Sequence, residues 1–189
     1  MERRVIITGV PGVGKTTVIE GALKRLEPEG IRYNPINFGT FMFDMASKEG
    51  IVSDRDQMRR LDRPVQKELQ KRAAELISRI GGNVIVDTHC SIKTPNGYLP
   101  GLPDWVIDGI RPDTLILVET DEDQILGRRL KDLTRIRDME GSGAIAEHQQ
   151  FNRSISAAIA TRTGCTVKFV RNQNHLLEQA IEEMTSALR

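Results

Sequence analysis

Short apolar runs alternate with longer amphipathic stretches along this chain. Several runs are almost continuous hydrophobes, which is typical of strands buried on both faces of a parallel sheet. A weaker run contains Pro35, which favours an irregular strand. The pattern predicts strands at Arg4–Thr8, 31–37, Asn83–Asp87, Thr114–Glu119 and 166–170.

The segments between these strands have helical periodicity. The predicted helices are Lys15–Leu26, 40–48, 54–80, 122–133, 144–162 and 176–188. Regular β-α alternation predicts right-handed crossovers and helices on both faces of the sheet, with ligands at the carboxyl ends of the strands. The Pro- and Gly-rich segment 94–105 is predicted to be an ordered loop with Trp105 as its packing anchor. No repeat or linker interrupts the chain, so residues 1–189 are predicted to form one domain.

Composition narrows the classes of protein that this chain can be. Hydrophobic residues make up 39% and charged residues 28%, which excludes disordered and fibrous classes. A net charge of +1 indicates neither a nucleic-acid nor a membrane partner. Cys90 and Cys165 lack metal-site spacing and are expected to be buried, reduced thiols. No apolar run has the length of a signal or membrane segment, so we expect a cytoplasmic protein.

The segment "GVPGVGKT" at residues 9–16 matches the phosphate-binding pattern G-x-x-x-x-G-K-[ST] between a predicted strand and a predicted helix. Its backbone N–H groups and the helix N-terminus can cradle phosphate oxygens. Lys15 is expected to reach the β- and γ-phosphates, and Thr16 to ligate Mg²⁺. A capped glycine turn explains Thr16 but not the lysine or the glycine spacing. The predicted ATP-binding residues are Gly9, Val10, Pro11, Gly12, Val13, Gly14, Lys15, Thr16 and Thr17.

Polar residues follow the predicted strand Asn83–Asp87. Asp87 is expected to hold Mg²⁺ or a water bound to it, although a carboxylate at a strand end can also be a simple cap. His89 is expected to be a hydrogen-bonded structural residue. Lys93 can meet the phosphate of an acceptor or lie on the solvated surface, and its sequence position leaves both interpretations open.

Arginines are concentrated in residues 127–140. Arg128 and Asp132 have the spacing of an ion pair on a solvated helix face. The second half of the segment has the composition of a loop, and a loop can bring Arg135 and Arg137 to a phosphoryl group while excluding water. Arg153, on the next helix, either supports the same site or lies on an exposed face.

A phosphate-binding loop does not identify a reaction by itself. The N-K-x-D motif of switch GTPases and the Ser-Gly-rich signature of transporter ATPases are absent from the sequence. Residues 36–61 combine aromatic, Met and Arg side chains, and this segment can form either core or the wall of an acceptor pocket. Small size with an N-terminal phosphate loop and a late arginine loop favours a small-molecule kinase.

Four blocks together give a more specific match: "GVPGVGKTT", "INFGTFMFDMA" followed by "VSDRDQMRRL", "VDTHCSIKTPNGYLPGLP", and "RRLKDLTRIRD" followed by "EHQQFNR". With these blocks the sequence resembles the archaeal-type adenylate kinase family over essentially the whole chain. The resemblance implies a P-loop NTPase three-layer fold with a five-stranded parallel sheet, an NMP-binding part at about 36–75 and a short lid at about 128–143.

The resemblance also implies an activity: reversible, Mg²⁺-dependent transfer from ATP to AMP in a cytosolic enzyme, often a homotrimer. It implies that Lys15, Arg128, Arg135 and Arg137 are catalytic and that Thr16 and Asp87 bind the metal. The implied AMP-binding residues are Asn37, Phe38, Gly39, Arg59 and Lys93.

The chain departs from long-lid relatives in two places. Few residues separate Arg129 from Arg135, which leaves no room for a zinc-binding lid. Gln124 stands where long-lid relatives would have an arginine, so adenine stacking at that position is open. Two alternatives also remain at this stage, a kinase for another nucleoside monophosphate or small acceptor, and an ATP-dependent nucleic-acid or assembly switch.

Overall fold

A parallel β-sheet lies between two layers of helices in this computed structural model, which describes residues 2–131 and 141–189. The strands are β1 (Arg4–Thr8), β2 (Tyr33–Asn37), β3 (Asn83–Asp87), β4 (Ser91–Thr94), β5 (Gly97–Pro100), β6 (Thr114–Glu119) and β7 (Thr166–Arg171). The helices are α1 (Lys15–Leu26), α2 (Phe38–Lys48), α3 (Arg55–Arg60), α4 (Arg63–Ser78), α5 (Asp104–Ile110), α6 (Glu122–Lys131), α7 (Ser142–Thr163) and α8 (Leu177–Leu188).

The strand order creates a crevice at the end of β1. Five parallel strands of the described chain follow the order β2-β3-β1-β6-β7. Ile7 of β1 is in register with Asp87 of β3 on one side and with Ile116 of β6 on the other. From β1 the chain adds β2 and β3 on one side of the sheet and then β6 and β7 on the other. The strand order therefore reverses at β1, and open α/β sheets bind ligands at such a switch point. The predicted α/β fold is therefore confirmed.

Both faces of the sheet are buried, as the continuous apolar runs predict. Val5 and Ile7 point into one core cluster with α1 and α8, while Ile6 points into a second cluster with α4 and α5. The side chains of Val5, Ile6 and Ile7 are all inaccessible to solvent. Pro35 is accommodated because β2 is an edge strand, where a missing N–H is tolerated.

One predicted helix is wrong as a continuous element. The stretch 54–80 forms α3 and α4, and the chain is extended at Leu61 and Asp62 between them. Pro64 explains the break, because in a continuous helix its ring would clash with the carbonyl of Arg60 and it has no N–H to donate there, whereas proline fits the first turn of a new helix.

The segment 94–105 contains more regular structure than the predicted loop. β4 and β5 form an antiparallel hairpin, and Thr94 pairs with Gly97 at its tip. The two loop residues are Pro95 and Asn96, and Gly97 follows them with a φ of 112°, a conformation that favours glycine. Trp105 lies on α5, and its Nε1 donates to Gln70 Oε1 at 2.9 Å, which anchors this segment to α4.

Close contact between α4 and α5 depends on Gly109. A Cβ at this position would lie 2.6 Å from the Cβ of Ala74. We expect Gly109→Ala to lower the free energy of unfolding by about 1–3 kcal/mol because the two helices must separate. Gly127→Ala on α6 is the matched control, since its Cβ would meet no atom of residues 2–131 and 141–189 within 4 Å. It should raise stability by up to about 1 kcal/mol through helix propensity. Urea denaturation measures both, and equal effects would contradict the packing argument.

No helix in residues 2–131 and 141–189 combines the length and apolar composition needed to cross a membrane.

Candidate active site

The loop between β1 and α1 closes around the N-terminus of α1. Gly14 caps this helix with a φ of 89°, a left-handed conformation that favours glycine. A Cβ on Gly14 would also lie 2.5 Å from Asn172 Nδ2. The glycine pattern therefore reflects a turn held tightly against the loop after β7, and the unpaired N–H groups of the first turn of α1 lie in this crevice.

Lys15 and Asp87 form a largely buried pair in the crevice. Lys15 Nζ lies 3.5 Å from Asp87 Oδ1, and the two side chains are 11% and 20% exposed. Burial lowers the pKa of Lys15, and the negative charge of Asp87 partly opposes this effect. The pair joins the start of α1 to the end of β3 and places the positive charge of Lys15 at the end of the phosphate loop.

Asp87 has an oxygen available for a further ligand. Its Oδ1 is buried and accepts no hydrogen bond from the described residues, so the approach of Lys15 is ionic only. The exposed Thr16 lies on the first turn of α1. Residues 2–131 and 141–189 contain no cluster of three or more His, Cys, Asp or Glu side chains suited to a metal. A hydroxyl and one carboxylate are nevertheless the protein ligands that Mg²⁺ needs when phosphates and waters complete its shell.

Asn37 connects the end of β2 to Asp87. Its Nδ2 donates to Asp87 Oδ2 at 3.2 Å, and its Oδ1 accepts from the backbone N–H of Thr40 at 3.0 Å. The same side chain thus caps α2 and contacts the Lys15–Asp87 pair. Asn37 lies beside the phosphate loop for a clear reason, because β2 and β3 are parallel neighbours with Asn37 in register with Asp87.

The other predicted acceptor residues have different surroundings. Phe38 is 3% exposed and packs in the core, whereas Gly39 is exposed on the first turn of α2. Lys93 lies on the hairpin with its Nζ 5.9 Å from the centre of the Tyr98 ring. Arg59 belongs to α3, and its side chain is outside the described part of the structure. The roles of these residues toward a ligand stay predictions.

Sequence reasoning placed Arg55 in the acceptor segment but did not include it among the site residues. Its Nη2 donates to Thr40 Oγ1 at 2.9 Å, and its guanidinium lies 5.3 Å from the centre of the Phe43 ring. Arg55 therefore brings a positive charge to the N-terminal half of α2, close to Asn37. The available signal was its place in the arginine-rich stretch after α2.

His89 supports the phosphate loop from the end of β3. Its Nδ1 lies 3.4 Å from the carbonyl oxygen of Gly9. Burial, together with the charge of Lys15, lowers the pKa of His89 to about 4. The imidazole is therefore neutral at neutral pH, which agrees with the structural role predicted for it.

Cys90 and Cys165 are both buried free thiols, as predicted. Burial raises the pKa of Cys90 to about 11. At pH 8 we expect the native thiol to react about a hundredfold more slowly than in the unfolded chain, since only the thiolate is nucleophilic. The rate should rise as the pH increases toward 11. Thiol-reagent kinetics on a Cys165→Ser variant measure this, and equal rates with and without urea would contradict it.

Arg128 and Arg129 donate to the backbone of the phosphate loop. Arg128 Nη1 donates to Val13 O at 2.9 Å, and Arg129 Nε donates to Pro11 O at 2.8 Å. Arg128 Nη2 also donates to Asn172 O at 2.8 Å and to Asn174 Oδ1 at 2.8 Å. Desolvation lowers the pKa of Arg128. Contact of Arg128 with a phosphate stays a prediction.

The remaining arginines divide into two groups. Arg135 and Arg137 lie outside the described residues, so their predicted contacts with phosphate stay predictions. Arg153 forms a bidentate pair with the buried Glu119, at 2.8 and 2.7 Å, and its guanidinium lies 5.7 Å from the centre of the Phe169 ring. These contacts favour the supporting role for Arg153.

Comparisons with known proteins give the relatives of this chain and a similar fold. Residues 8–146 match the family described as AAA domain. The chain is 59% identical to an adenylate kinase of Methanoculleus marisnigri, over 99% of this chain and 98% of that protein. It is 49% identical to an adenylate kinase of Methanocaldococcus jannaschii, over 98% and 97%. The fold resembles a shikimate kinase from Bacteroides thetaiotaomicron with a TM-score of 0.59 at 13% identity, over 98% of each chain.

Proposed function

The chain belongs to the adenylate kinase family, and from this membership we propose that it transfers the γ-phosphoryl group of MgATP to AMP, giving two ADP reversibly. The observation that carries the proposal is the chain of contacts Lys15–Asp87–Asn37. It connects the phosphate loop to the segment that begins at α2, so a donor and an acceptor phosphate can meet at one point.

The donor site is proposed at residues 9–17. The left-handed turn at Gly14 and the free first-turn N–H groups of α1 support it, because successive N–H groups at a helix N-terminus attract phosphate oxygens. Lys15 adds a full charge that is held in place by Asp87. A buried ammonium interacts more strongly with a phosphate than an exposed one does, because water screens it less.

The acceptor site is proposed at the N-terminus of α2, with Asn37, Phe38, Gly39, Arg59 and Lys93 as its AMP-binding residues. The contact of Asn37 with Asp87 supports this position, and the exposed Gly39 leaves space beside it. Arg55 supports it further because its guanidinium contributes positive charge near Thr40. An anionic nucleotide phosphate is favoured beside such a charge and a helix N-terminus.

In this proposal the protein accelerates the reaction by aligning the two nucleotides and neutralising the charge of their phosphates. The phosphate of AMP is already anionic near neutral pH, so a strong general base is not required. Lys15 neutralises charge on the donor side. Arg135 and Arg137 are proposed to contact the transferring group from the lid segment. Arg128 is proposed to contact the phosphates as well, from the end of α6, where it already lies against the phosphate loop and the segment after β7.

Mg²⁺ is proposed at Thr16 and Asp87, where it would bridge phosphate oxygens and neutralise their charge. The buried Oδ1 of Asp87, which accepts no hydrogen bond from the described residues, supports this site. We expect Asp87→Asn to raise the Mg²⁺ concentration for half-maximal rate by about 10–100-fold. A magnesium titration of steady-state activity measures it, with circular dichroism to check the fold. An unchanged magnesium dependence in a folded variant would exclude Asp87 as a ligand.

A homotrimer in the cytoplasm is proposed from the family resemblance. Ile92 and Leu99 pair across β4 and β5 and are 49% and 45% exposed, which is consistent with contact between copies. Sedimentation equilibrium should give three times the chain mass, and a monomer at micromolar concentration would contradict the proposal.

A panel of acceptors tests the proposed function. MgATP is supplied with AMP, CMP, UMP or GMP in separate assays of ADP formation, and AMP is expected to give the highest kcat/KM. A higher value for CMP or UMP would favour a kinase for another acceptor. ATP hydrolysis that is independent of AMP, together with tight RNA binding, would favour the switch alternative.

A further inference from the structure

Three side chains hold the phosphate loop from its outer side. Arg128, Arg129 and Asn172 donate to two backbone carbonyl oxygens of the loop, and we call these three residues the outer clamp. Arg129 Nε contacts Pro11 O at 2.8 Å, while Val13 O accepts from Arg128 Nη1 at 2.9 Å and from Asn172 Nδ2 at 2.8 Å. Both guanidinium groups come from the last turns of α6, directly before the lid segment.

The two carbonyl groups belong to peptide units that also carry phosphate-loop donors. The carbonyl of Pro11 shares a planar peptide with the N–H of Gly12, and the carbonyl of Val13 shares one with the N–H of Gly14. In a trans peptide the C=O and N–H point in opposite directions. A cation bound to the carbonyl oxygen therefore lies on the outer side of the loop, and the N–H of the same peptide points to the opposite side.

A guanidinium that donates to the carbonyl oxygen makes the N–H of the same peptide a stronger hydrogen-bond donor. Hydrogen bonds polarise one another along a chain, and bonds from a guanidinium are stronger than those from a neutral donor. The clamp also restrains the loop before any nucleotide arrives, which lowers the entropy lost on binding.

Asn172 and Asn174 make Arg128 a fixed element of this clamp. Arg128 donates to Asn172 O and to Asn174 Oδ1, in addition to Val13 O. Asn172 itself is 5% exposed and contacts the same Val13 oxygen. These contacts hold the Arg128 side chain against the phosphate loop in this structure.

We propose that Arg129 is a positioning residue that acts through the carbonyl of Pro11 to strengthen and orient the N–H group of Gly12 toward the donor phosphates. This proposal rests on the proposed function only for the identity of the nucleotide. The loop N–H groups contact phosphates that are present before and after transfer, so the clamp contributes uniform binding of ATP.

Arg129→Met is the test variant, because methionine keeps an unbranched apolar stem and removes every donor. We expect KM for ATP to rise about 10-fold, corresponding to one charge-assisted hydrogen bond, with kcat and KM for AMP within about threefold of wild type. Arg129→Lys, which retains a charged donor, should restore part of the ATP affinity. Arg162→Met is the matched control, since Arg162 pairs with Asp104 and Asp108 on the surface away from the loop.

A second measurement does not depend on activity. In the nucleotide-free protein, the backbone amide resonance of Gly12 should shift in Arg129→Met and should be unchanged in Arg162→Met. A large loss of kcat with an unchanged KM for ATP would overturn the proposal and make Arg129 a contact of the transferring group. An unchanged Gly12 resonance in a folded Arg129→Met protein would overturn it as well. If wild type transfers nothing to AMP, the proposed function fails, whereas the resonance still tests the clamp.

Discussion

Replacing Lys15 with alanine is expected to lower kcat by about a thousandfold, the largest effect of any single substitution in the described residues. The Lys15 side chain is 11% exposed and lies at the end of the phosphate loop, where a charge is weakly screened. Its loss removes the donor-side cation and leaves Asp87 without its ionic partner. Steady-state kinetics with saturating MgATP and AMP measure the effect.

Lys24→Ala is the matched control for Lys15, because Lys24 lies on the same helix but on its exposed side. It should keep wild-type kinetics. The Lys15→Ala protein should keep its circular dichroism spectrum and unfold cooperatively, so that a loss of rate reflects chemistry. A folded Lys15→Ala variant with kcat within threefold of wild type would contradict the role given to this side chain.

Arg135→Ala and Arg137→Ala are each expected to lower kcat by about a thousandfold while changing KM for ATP far less. An arginine that contacts the phosphoryl group as charge spreads over it acts mainly in the transition state. The lid variants should therefore lower kcat, whereas Arg129→Met should raise KM for ATP and leave kcat nearly unchanged. The two patterns separate lid arginines that contact the transferring group from arginines that hold the loop.

Arg162→Ala serves as the control for both lid variants, because it removes an arginine of surface ion pairs only. Wild-type kcat in both Arg135→Ala and Arg137→Ala would exclude these residues from the phosphate clamp. The transfer would then have to rely on Lys15 and on charges nearer the sheet.

The parallel sheet could be predicted from the sequence because its buried strands are short, nearly continuous runs of apolar residues. Ile6 and Ile7 are buried on opposite faces, and only a strand covered on both sides has such a run. The break between α3 and α4 was missed because the apolar periodicity continues across Pro64. The hairpin at residues 91–100 was missed because its turn residues, Pro95 and Asn96, are not the Asn–Gly or Asp–Gly pair that marks a two-residue hairpin.

The phosphate loop could be predicted for a related reason, since its glycines and Lys15 are adjacent in the sequence. The contacts that support the loop join distant residues, 115 positions apart for Arg128 and Val13 and 159 apart for Asn172 and Val13. No local pattern indicates that Arg128 donates to a backbone carbonyl. The meeting of Asn37 and Asp87 likewise follows only from the strand order.

The central claim is that one site joins a donor and an acceptor nucleotide, and label transfer tests it most directly. The protein is incubated with Mg²⁺, ATP carrying a radioactive γ-phosphate, and unlabelled AMP, and the products are separated. The account predicts that the label appears in the β-phosphate of ADP at a rate that depends on AMP. Release of the label as inorganic phosphate at a rate independent of AMP would contradict it.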